Sequence, residues 1–423
     1  MAIGKQLAAM VLAGTAFLAI PSWGDVPKDW PQFNGPARDN ISKETGLLKE
    51  WPKDGPPLAW KIKGVGDGHS SVAVANGKIF AAGREDDSTF VFALNEADGK
   101  QLWKTAAGGL AGSSEGQGGK GPRATPTVDG DRVYMISASS DLVCLAVGDG
   151  KEIWHKNLNT DFGGKMMSGW GNSESVLVDG ENLICTPGGK NGTLLALDKK
   201  NGNPVWQTKP LTDSAAYASP IAADIGGVHQ IIVFTAANLA GVSAKDGTVL
   251  WQASRPGKTA VIPTPIIKDN YIYVTSGYGV GCDLFKINYE GGKFSAESVY
   301  TKNHNMENHT GGVICLDGNI YGHSDSKGWI CQDMMTGDVK WANKSLAGKG
   351  TIAYADGHFY CRSDGKQGTI ALIEASPDGW KETGRFDQPE RSNKQAWPHL
   401  VIANGKLYVR DMDVLLCYDI KAK

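Results

Sequence analysis

Ten side chains that are suited to ligand contact stand at equivalent places, each a few residues before a run of alternating apolar residues. Arginine and lysine pair with carboxylates, and tryptophan stacks on rings, so the set suits an anionic or hydroxylated planar ligand. Two oxygen donors in the set, Asn172 and Glu174, also suit Ca²⁺. The alternative interpretation is that these loops are polar because they meet water. The ten candidates are His69, Arg123, Trp170, Asn172, Glu174, Tyr217, His309, Lys349, Trp397 and His399.

Other motifs in the chain point less clearly to chemistry. His304, Glu307 and His309 have the residue types of a metal site, but their H-x-x-E-x-H order matches no helical metalloprotease motif. The seven cysteines stand at least 16 residues apart, which excludes a C-x-x-C motif, a haem attachment site and a vicinal disulfide. The glycine-rich stretch 108–121 lacks the Ser or Thr of a phosphate loop, so we interpret it as a mobile loop.

Composition limits the scaffold that carries these residues. Glycine accounts for 55 of the 423 residues, well above the roughly 7% of ordinary proteins, and it disfavours long helices. Lys plus Arg number 43 against 45 Asp plus Glu, which gives no basic footprint for nucleic acid or anionic lipid. Hydrophobic residues make up 41% of the chain, enough for a large core. These values favour an all-β protein with many tight turns.

A repeated segment predicts how the strands are arranged. Five segments share a small residue, a glycine six positions later and a tryptophan ten positions later. The small residues are Ala93, Cys144, Ala196, Gly241 and Cys331, and the tryptophans are Trp103, Trp154, Trp206, Trp251 and Trp341. Degenerate copies occupy 283–295, with Lys286 at the small position, and 369–381, with Trp380 one residue early. An eighth copy has Cys417, and the mean period of about 46 residues is close to that of propeller blades.

Six of the repeats are preceded by an Asn-Gly or Asp-Gly turn between alternating apolar residues, which is a strong hairpin signal. Each repeat therefore reads as strands A to D of one propeller blade, with D bearing the tryptophan. The isolated segment 56–64, which contains Trp60, is predicted to serve as strand D of the last blade and so close the ring. We expect an eight-bladed β-propeller, with seven blades as the alternative. Its D–A and B–C loops gather at one mouth of the central channel, where the ten candidates would meet.

The pattern Ala196-Leu197-Asp198…Gly202…Trp206 resembles the tryptophan-docking repeat of the quinoprotein (PQQ-type) propeller superfamily. This resemblance covers most of the chain. It implies the propeller fold and leaves two kinds of function open. Some members are PQQ-dependent alcohol or sugar dehydrogenases, whereas others are propellers without a cofactor, such as a subunit of the bacterial outer-membrane barrel-assembly machinery. The chain departs from the dehydrogenases because it has no adjacent cysteines and no Trp-Asp pair.

The N-terminal region is predicted to have two parts. Residues 1–24 combine Lys5, an apolar stretch and small residues before Asp25, as in a cleaved signal peptide. Residues 25–55 are expected to form an extended arm against the outside or the bottom of the ring, and 56–423 to form the propeller. No later segment is apolar enough to span a membrane, so we expect a periplasmic or secreted chain, and a monomer.

Two functional hypotheses follow. The first is an exported scaffold that binds a small-molecule ligand or a protein partner through the loops at the channel mouth, without a cofactor and without nucleic acid. The second is a PQQ-dependent alcohol or sugar dehydrogenase, with the quinone at the channel mouth and Ca²⁺ near Asn172 and Glu174.

Overall fold

The protein is an all-β ring of eight blades with four strands each, as the repeats predict, and the sheet of one blade gains a fifth strand from the N-terminal arm. The computed structural model describes residues 29–110, 121–392 and 394–422, so the predicted signal peptide and most of the glycine-rich stretch lie outside the described residues. One short helix, Leu158–Phe162, lies in the described ranges between the second and third sheets. No helix in those ranges is long and apolar enough to cross a bilayer.

Each sheet is one blade, with strands A to D running from the central channel to the rim. Blade 1 has strands Ala73–Ala75, Lys78–Glu85, Ser88–Asn95 and Gln101–Ala106. Blade 2 has strands Thr127–Asp129, Arg132–Ile136, Asp141–Ala146 and Glu152–Asn157. Blade 3 has strands Leu177–Asp179, Asn182–Cys185, Leu195–Asp198 and Pro204–Gln207. Blade 4 has strands Ile221–Ile225, Val228–Phe234, Asn238–Ser243 and Val249–Ser254.

The remaining blades follow the same order. Blade 5 has strands Ile266–Lys268, Tyr271–Ser276, Gly281–Glu290 and Lys293–Asn303. Blade 6 has strands Val313–Leu316, Asn319–Ser324, Gly328–Asp333 and Val339–Asn343. Blade 7 has strands Gly350–Ala355, His358–Ser363, Ile370–Glu374 and Glu382–Phe386. Blade 8 has strands Val401–Ala403, Lys406–Asp411 and Val414–Asp419, followed by Leu58–Lys63 as strand D.

The predicted closure of the ring is confirmed. The strand that carries Trp60 pairs antiparallel with strand C of blade 8, and Trp60 stands opposite Cys417. The same cross-strand pair, Ala93 with Trp103, occurs in blade 1. The small residue of each regular repeat is therefore the one that faces the tryptophan of its own blade, and the tryptophan side chain lies over it.

The recurring glycine has a separate cause, because it receives the tryptophan of the preceding blade. The Trp103 indole nitrogen donates a hydrogen bond to Val147 O in blade 2 at 3.1 Å. A Cβ on Gly150 of that blade would lie 2.5 Å from the Trp103 ring, and the glycine has a φ of +74°. Both the positive φ and the docked ring therefore require glycine. Trp60, Trp154, Trp206 and Trp341 make equivalent hydrogen bonds to the next blade.

The two degenerate repeats differ in register from the sequence interpretation. In blade 5, Leu284 and not Lys286 takes the small position, and Tyr300 takes the place of the tryptophan opposite it. The Tyr300 hydroxyl donates to Met334 O in blade 6 at 2.9 Å, as a docking tryptophan would. In blade 7, Arg385 stands opposite Ala371, so Trp380 is not the docking residue.

The N-terminal arm enters the channel, and the expectation that it packs on the outside or bottom of the ring is wrong for residues 30–42. We call these residues the plug. Trp30 forms an antiparallel bridge with Val74 in strand A of blade 1. The strand Ile41–Ser42 pairs in parallel with strand A of blade 7. The arm then leaves at the face that carries the A–B turns, where Leu47 N donates to the Asp356 carboxylate at 2.9 Å.

Arg38 fixes the middle of the plug. Its side chain is 3% exposed, and its guanidinium donates to Pro220 O at 2.6 Å and to Ser175 O at 2.9 Å. These carbonyls lie at the starts of the innermost strands of blades 4 and 3. Asn40 donates to Ile352 O on the opposite side, in blade 7. The plug thus forms hydrogen bonds with backbone groups that face the channel. Without the plug, these groups would lack a hydrogen-bond partner within the protein.

Candidate functional site

The plug closes the channel below a cavity that opens at the face of the D–A and B–C loops, and we call this cavity the cup. Counted with its open mouth, the cup has a volume of about 1160 Å³. Each of the eight D–A connections contributes at least one lining side chain. Eight of the ten residues predicted from the sequence line it: His69, Arg123, Trp170, Tyr217, His309, Lys349, Trp397 and His399.

Asn172 and Glu174 do not line the cup. Both are 2% exposed, and one oxygen of each side chain accepts a hydrogen bond from another part of the protein. Asn172 Oδ1 accepts from the Ser140 hydroxyl at 2.5 Å, and Glu174 Oε1 accepts from Thr186 N at 2.6 Å. Burial raises the pKa of Glu174 to about 7. The predicted pair of Ca²⁺ donors is therefore not assembled at the channel mouth.

One wall of the cup is aromatic. The rings of Trp170 and Trp397 meet edge to face, with centroids 6.5 Å apart and an angle of 69° between them. The His69 ring lies 4.6 Å from Trp397. The Arg123 guanidinium lies 5.2 Å from the Trp170 ring centroid and donates to Trp170 O at 3.1 Å. Because it is largely buried, the pKa of Arg123 falls to about 10, and the group stays charged at neutral pH.

The opposite wall carries paired charges. Lys349 Nζ contacts His309 Nδ1 and lies 3.2 Å from Asp325 Oδ1. Burial acts to raise the pKa of Asp325, but the hydrogen bond from His309 and the charge of Lys349 outweigh it and hold that pKa below its ordinary value. Asp364 also lines this wall, and burial raises its pKa. Tyr278 completes the wall, with its ring 4.5 Å from His309.

The floor of the cup joins the plug to the ring through His399. The His399 Nε2 donates to Thr310 O at 3.1 Å, and its Nδ1 lies 2.9 Å from the Asn34 carboxamide. The Phe33 ring lies 4.9 Å from the His399 ring. Burial lowers the pKa of His399 to about 4, so this histidine is neutral at pH 7. The plug therefore supplies both an apolar ring and a hydrogen-bonding group to the floor.

Several cup residues escaped the sequence analysis. Tyr278 and Asp364 come from B–C loops, whereas the candidates were read only from positions before strand A. Gln395 precedes strand A of blade 8 by several residues, and Phe33 belongs to the plug. A search of the B–C loops for ring and charged residues would have found Tyr278 and Asp364. No local pattern in the arm places Phe33 in the channel.

The suggested metal group is not assembled. His304 Nδ1 lies 3.0 Å from Glu307 Oε1, and the His304 side chain is 60% exposed. His309 instead contacts Lys349 and Asp325 on the wall of the cup. Within the described ranges, no three or more His, Cys, Asp or Glu side chains converge in a way that would hold a metal ion.

The cup does not fit a calcium-bound quinone. Neither Asn172 nor Glu174 belongs to its lining. Asn172 Oδ1 and Glu174 Oε1 already accept hydrogen bonds, and Glu174 Oε2 is buried without a hydrogen-bond partner among the described residues. The Trp170 ring is occupied by the guanidinium of Arg123, and it meets Trp397 at a steep angle, so the two indoles do not form a parallel slot. The dehydrogenase hypothesis therefore lacks the pair of Ca²⁺ donors on which it depended.

Comparison with known proteins identifies a family that matches more than half of the chain. Residues 89–343 match the family of the outer membrane protein assembly factor BamB. The BamB protein of Xanthomonas campestris pv. campestris is 25% identical over 227 residues, which are 54% of this chain and 49% of that protein. The tetrathionate hydrolase of Acidithiobacillus ferrooxidans is 25% identical over 267 residues, which are 57% of this chain and 49% of that enzyme. The chain thus spans about half the length of these two relatives.

Solved structures share the fold. BamB from Moraxella catarrhalis superposes with a TM-score of 0.60 at 17% identity, over 86% of this chain and 98% of that one. The quinohemoprotein alcohol dehydrogenase ADHIIG from Pseudomonas putida superposes with a TM-score of 0.59 at 12% identity, over 94% of this chain and 81% of that one. At these identities the similarity shows the PQQ-like propeller architecture, which an assembly factor and a dehydrogenase have in common.

Proposed function

Because the chain belongs to the family of the outer membrane protein assembly factor BamB, we propose that it is an exported propeller that acts by binding, with the cup as its binding site. The cup takes either a small-molecule ligand or a segment of a protein partner. The scaffold is the PQQ-like propeller, and the chain's own contribution is the set of side chains that the loops bring to the channel mouth.

One observation carries this proposal. All eight D–A connections, far apart in sequence, place side chains around a single concave cavity, and the plug closes that cavity at its base. Concave sites with mostly apolar walls and a few placed polar groups are the usual form of a ligand site. The paired charges of the cup and the neutral His399 supply such polar groups.

Export is tested first. The full chain, produced in a bacterial host, should yield a periplasmic protein whose N-terminal residue is Asp25. Retention of residues 1–24 in a cytosolic product would contradict the export part of the proposal.

Binding is tested with the purified mature protein against a defined panel of sugars, aromatic carboxylates and tripeptides, using calorimetry and thermal shift. We expect at least one class to bind, and Trp397→Ala to abolish that binding. Tyr289→Ala is the matched control, because Tyr289 is an exposed aromatic residue on another part of the propeller and is 46% exposed. If every class leaves the wild type unchanged, the proposal is wrong.

The same protein, mixed with PQQ and Ca²⁺, tests the other hypothesis by equilibrium dialysis. Stoichiometric uptake of PQQ would overturn the proposed function. We expect no retained quinone, because the calcium donors and the parallel aromatic slot are not formed in the cup.

A further inference from the structure

The charges that line the cup balance one another. Arg123 and Lys349 are its cations, and Asp364 is a carboxylate in the same lining. Asp325 contacts Lys349 from behind, with 3.2 Å between Nζ and Oδ1. A carboxylate or phosphate that entered the cup would meet Asp364 as well as the cations. A cationic ligand would meet Arg123 and Lys349. The balance therefore favours a ligand without net charge.

The polar groups of the cup are donors and acceptors set side by side. The Asp364 carboxylate accepts, the Lys349 ammonium donates, and the Tyr217 hydroxyl and the Gln395 amide do both. A ligand hydroxyl also donates and accepts, so it can satisfy both kinds of neighbour at once. A carboxylate can only accept, and an ammonium can only donate.

The rings of the cup give flat apolar surfaces beside these polar groups. Trp397 and Trp170 form one wall, and Tyr278 stands on the other, 49% exposed. The faces of these rings carry partial negative charge, so they favour contact with C–H groups, which carry partial positive charge, over contact with an anion. A saturated ring that bears hydroxyls at its edge and C–H groups on its faces matches this arrangement.

We propose that the cup binds a neutral sugar, with the sugar face against Trp397 and its hydroxyls toward Asp364 and Lys349. This inference rests on the proposed binding function and names its ligand class.

The test is calorimetric titration of the mature protein with four ligands: glucose and maltose as neutral sugars, glucuronate as the anionic counterpart of glucose, and glucosamine as the cationic one. We expect glucose or maltose to bind at least about tenfold more tightly than glucuronate and glucosamine, a difference of roughly 1.4 kcal/mol. Trp397→Ala should weaken binding of the neutral sugar by at least about tenfold, whereas Tyr289→Ala should leave it unchanged.

A charge variant gives an independent readout. Asp364→Asn removes the carboxylate and keeps a side chain of the same size, so it should improve glucuronate binding relative to glucose. A folding defect would weaken both ligands alike and would also lower the melting temperature. An increase in glucuronate affinity relative to glucose affinity therefore measures the effect of the Asp364 charge and not a loss of folding.

The outcomes separate this inference from the function on which it rests. Tighter binding of glucuronate, glucosamine, an aromatic carboxylate or a tripeptide than of any neutral sugar, lost in Trp397→Ala, would overturn the sugar assignment and leave the binding function intact. An unchanged glucuronate-to-glucose ratio in Asp364→Asn would overturn the charge argument. Absence of binding by every class would overturn both proposals.

Discussion

Arg38 offers the sharpest test of the plug, because one side chain joins it to two blades. Arg38→Met keeps the length of the side chain and removes the donors to Pro220 O and Ser175 O. Hydrogen bonds from a charged group contribute about 1.5–3 kcal/mol each, and breaking a buried charged contact on one side costs roughly 3–5 kcal/mol. We therefore expect the free energy of unfolding to fall by about 3–5 kcal/mol.

The assay is differential scanning calorimetry at neutral pH with limited proteolysis. For a folded unit of roughly 380 residues, unfolding entropy near 0.8 kcal/mol/K converts this loss into a melting temperature lower by about 4–6 °C. Cleavage should appear within the arm before it appears in the blades. Arg385→Met is the matched control, because the Arg385 side chain is 41% exposed and its pair with Glu382 is worth at most about 1 kcal/mol.

Glu174 separates the two sources of that loss. Burial lowers the pKa of Arg38 to about 9, although the charge of Glu174 raises it, so the two buried groups act on each other. If part of the cost of Arg38→Met comes from leaving Glu174 without an opposing charge, the double variant with Glu174→Gln should be more stable than Arg38→Met alone. A melting temperature for Arg38→Met within about 1 °C of the wild type, with unchanged proteolysis, would refute the anchoring role.

Three further outcomes are expected. Because burial raises the pKa of Glu174 from 4.5 to about 7, the contribution of Glu174 to stability is fully present below pH 4.5 and is lost as pH rises to 7, and E174Q should remove about 3 kcal/mol of that loss in denaturant titrations. His399 has the opposite effect, because burial lowers its pKa from 6.5 to about 4. Its contribution to stability is therefore lost as pH drops from 6.5 to 4, and H399Q should reduce the loss of stability over that pH range in the same titrations. In urea unfolding, Gly150→Ala should lower the free energy of unfolding by several kcal/mol, about as much as the roughly 3–5 kcal/mol expected for Trp103→Ala. Gly148→Ala is the control, because a Cβ at Gly148 would have no atom within 4 Å, and it should change that free energy by less than about 0.5 kcal/mol.

The blade count was predictable because it depends on contacts that repeat. A tryptophan such as Trp103 needs a small residue opposite it in its own blade and a glycine with positive φ in the next. Both demands fall at fixed distances along the chain, so they leave a spacing that a single sequence shows. The closing strand was predictable for the same reason, since Trp60 was a docking tryptophan without a repeat of its own.

The fifth repeat was misread because its spacing is not fixed. The C–D hairpin of blade 5 is long, with strands Gly281–Glu290 and Lys293–Asn303, and this length moves the docking ring further along the chain. Gly337 in blade 6 could have identified the docking residue of blade 5. A docking glycine implies a ring from the preceding blade, and the first aromatic residue upstream that fits is Tyr300, whose hydroxyl reaches Met334 O.

The position of the plug was not predictable from local pattern, because its contacts are mostly with backbone groups of distant strands. Pro31 O accepts from Val128 N at 2.8 Å, and Asn40 O accepts from Tyr354 N at 3.0 Å. Backbone partners leave no side-chain periodicity in either segment. Three of the plug's residues other than glycine, Asn34, Arg38 and Asn40, have positive φ, a conformation that the sequence alone does not reveal.

The plug also explains why a fold shared by an assembly factor and a dehydrogenase presents a closed site in this chain. The innermost strands of a ring of blades turn one edge toward the channel, and those edges carry backbone groups that need partners. Here Trp30 and Asn40 satisfy part of that need on blades 1 and 7. The same segment places Phe33 under the cup, so the channel ends at a floor. Under the proposed function, a ligand would therefore enter and leave by one face only, and the eight loops and the plug together would select it.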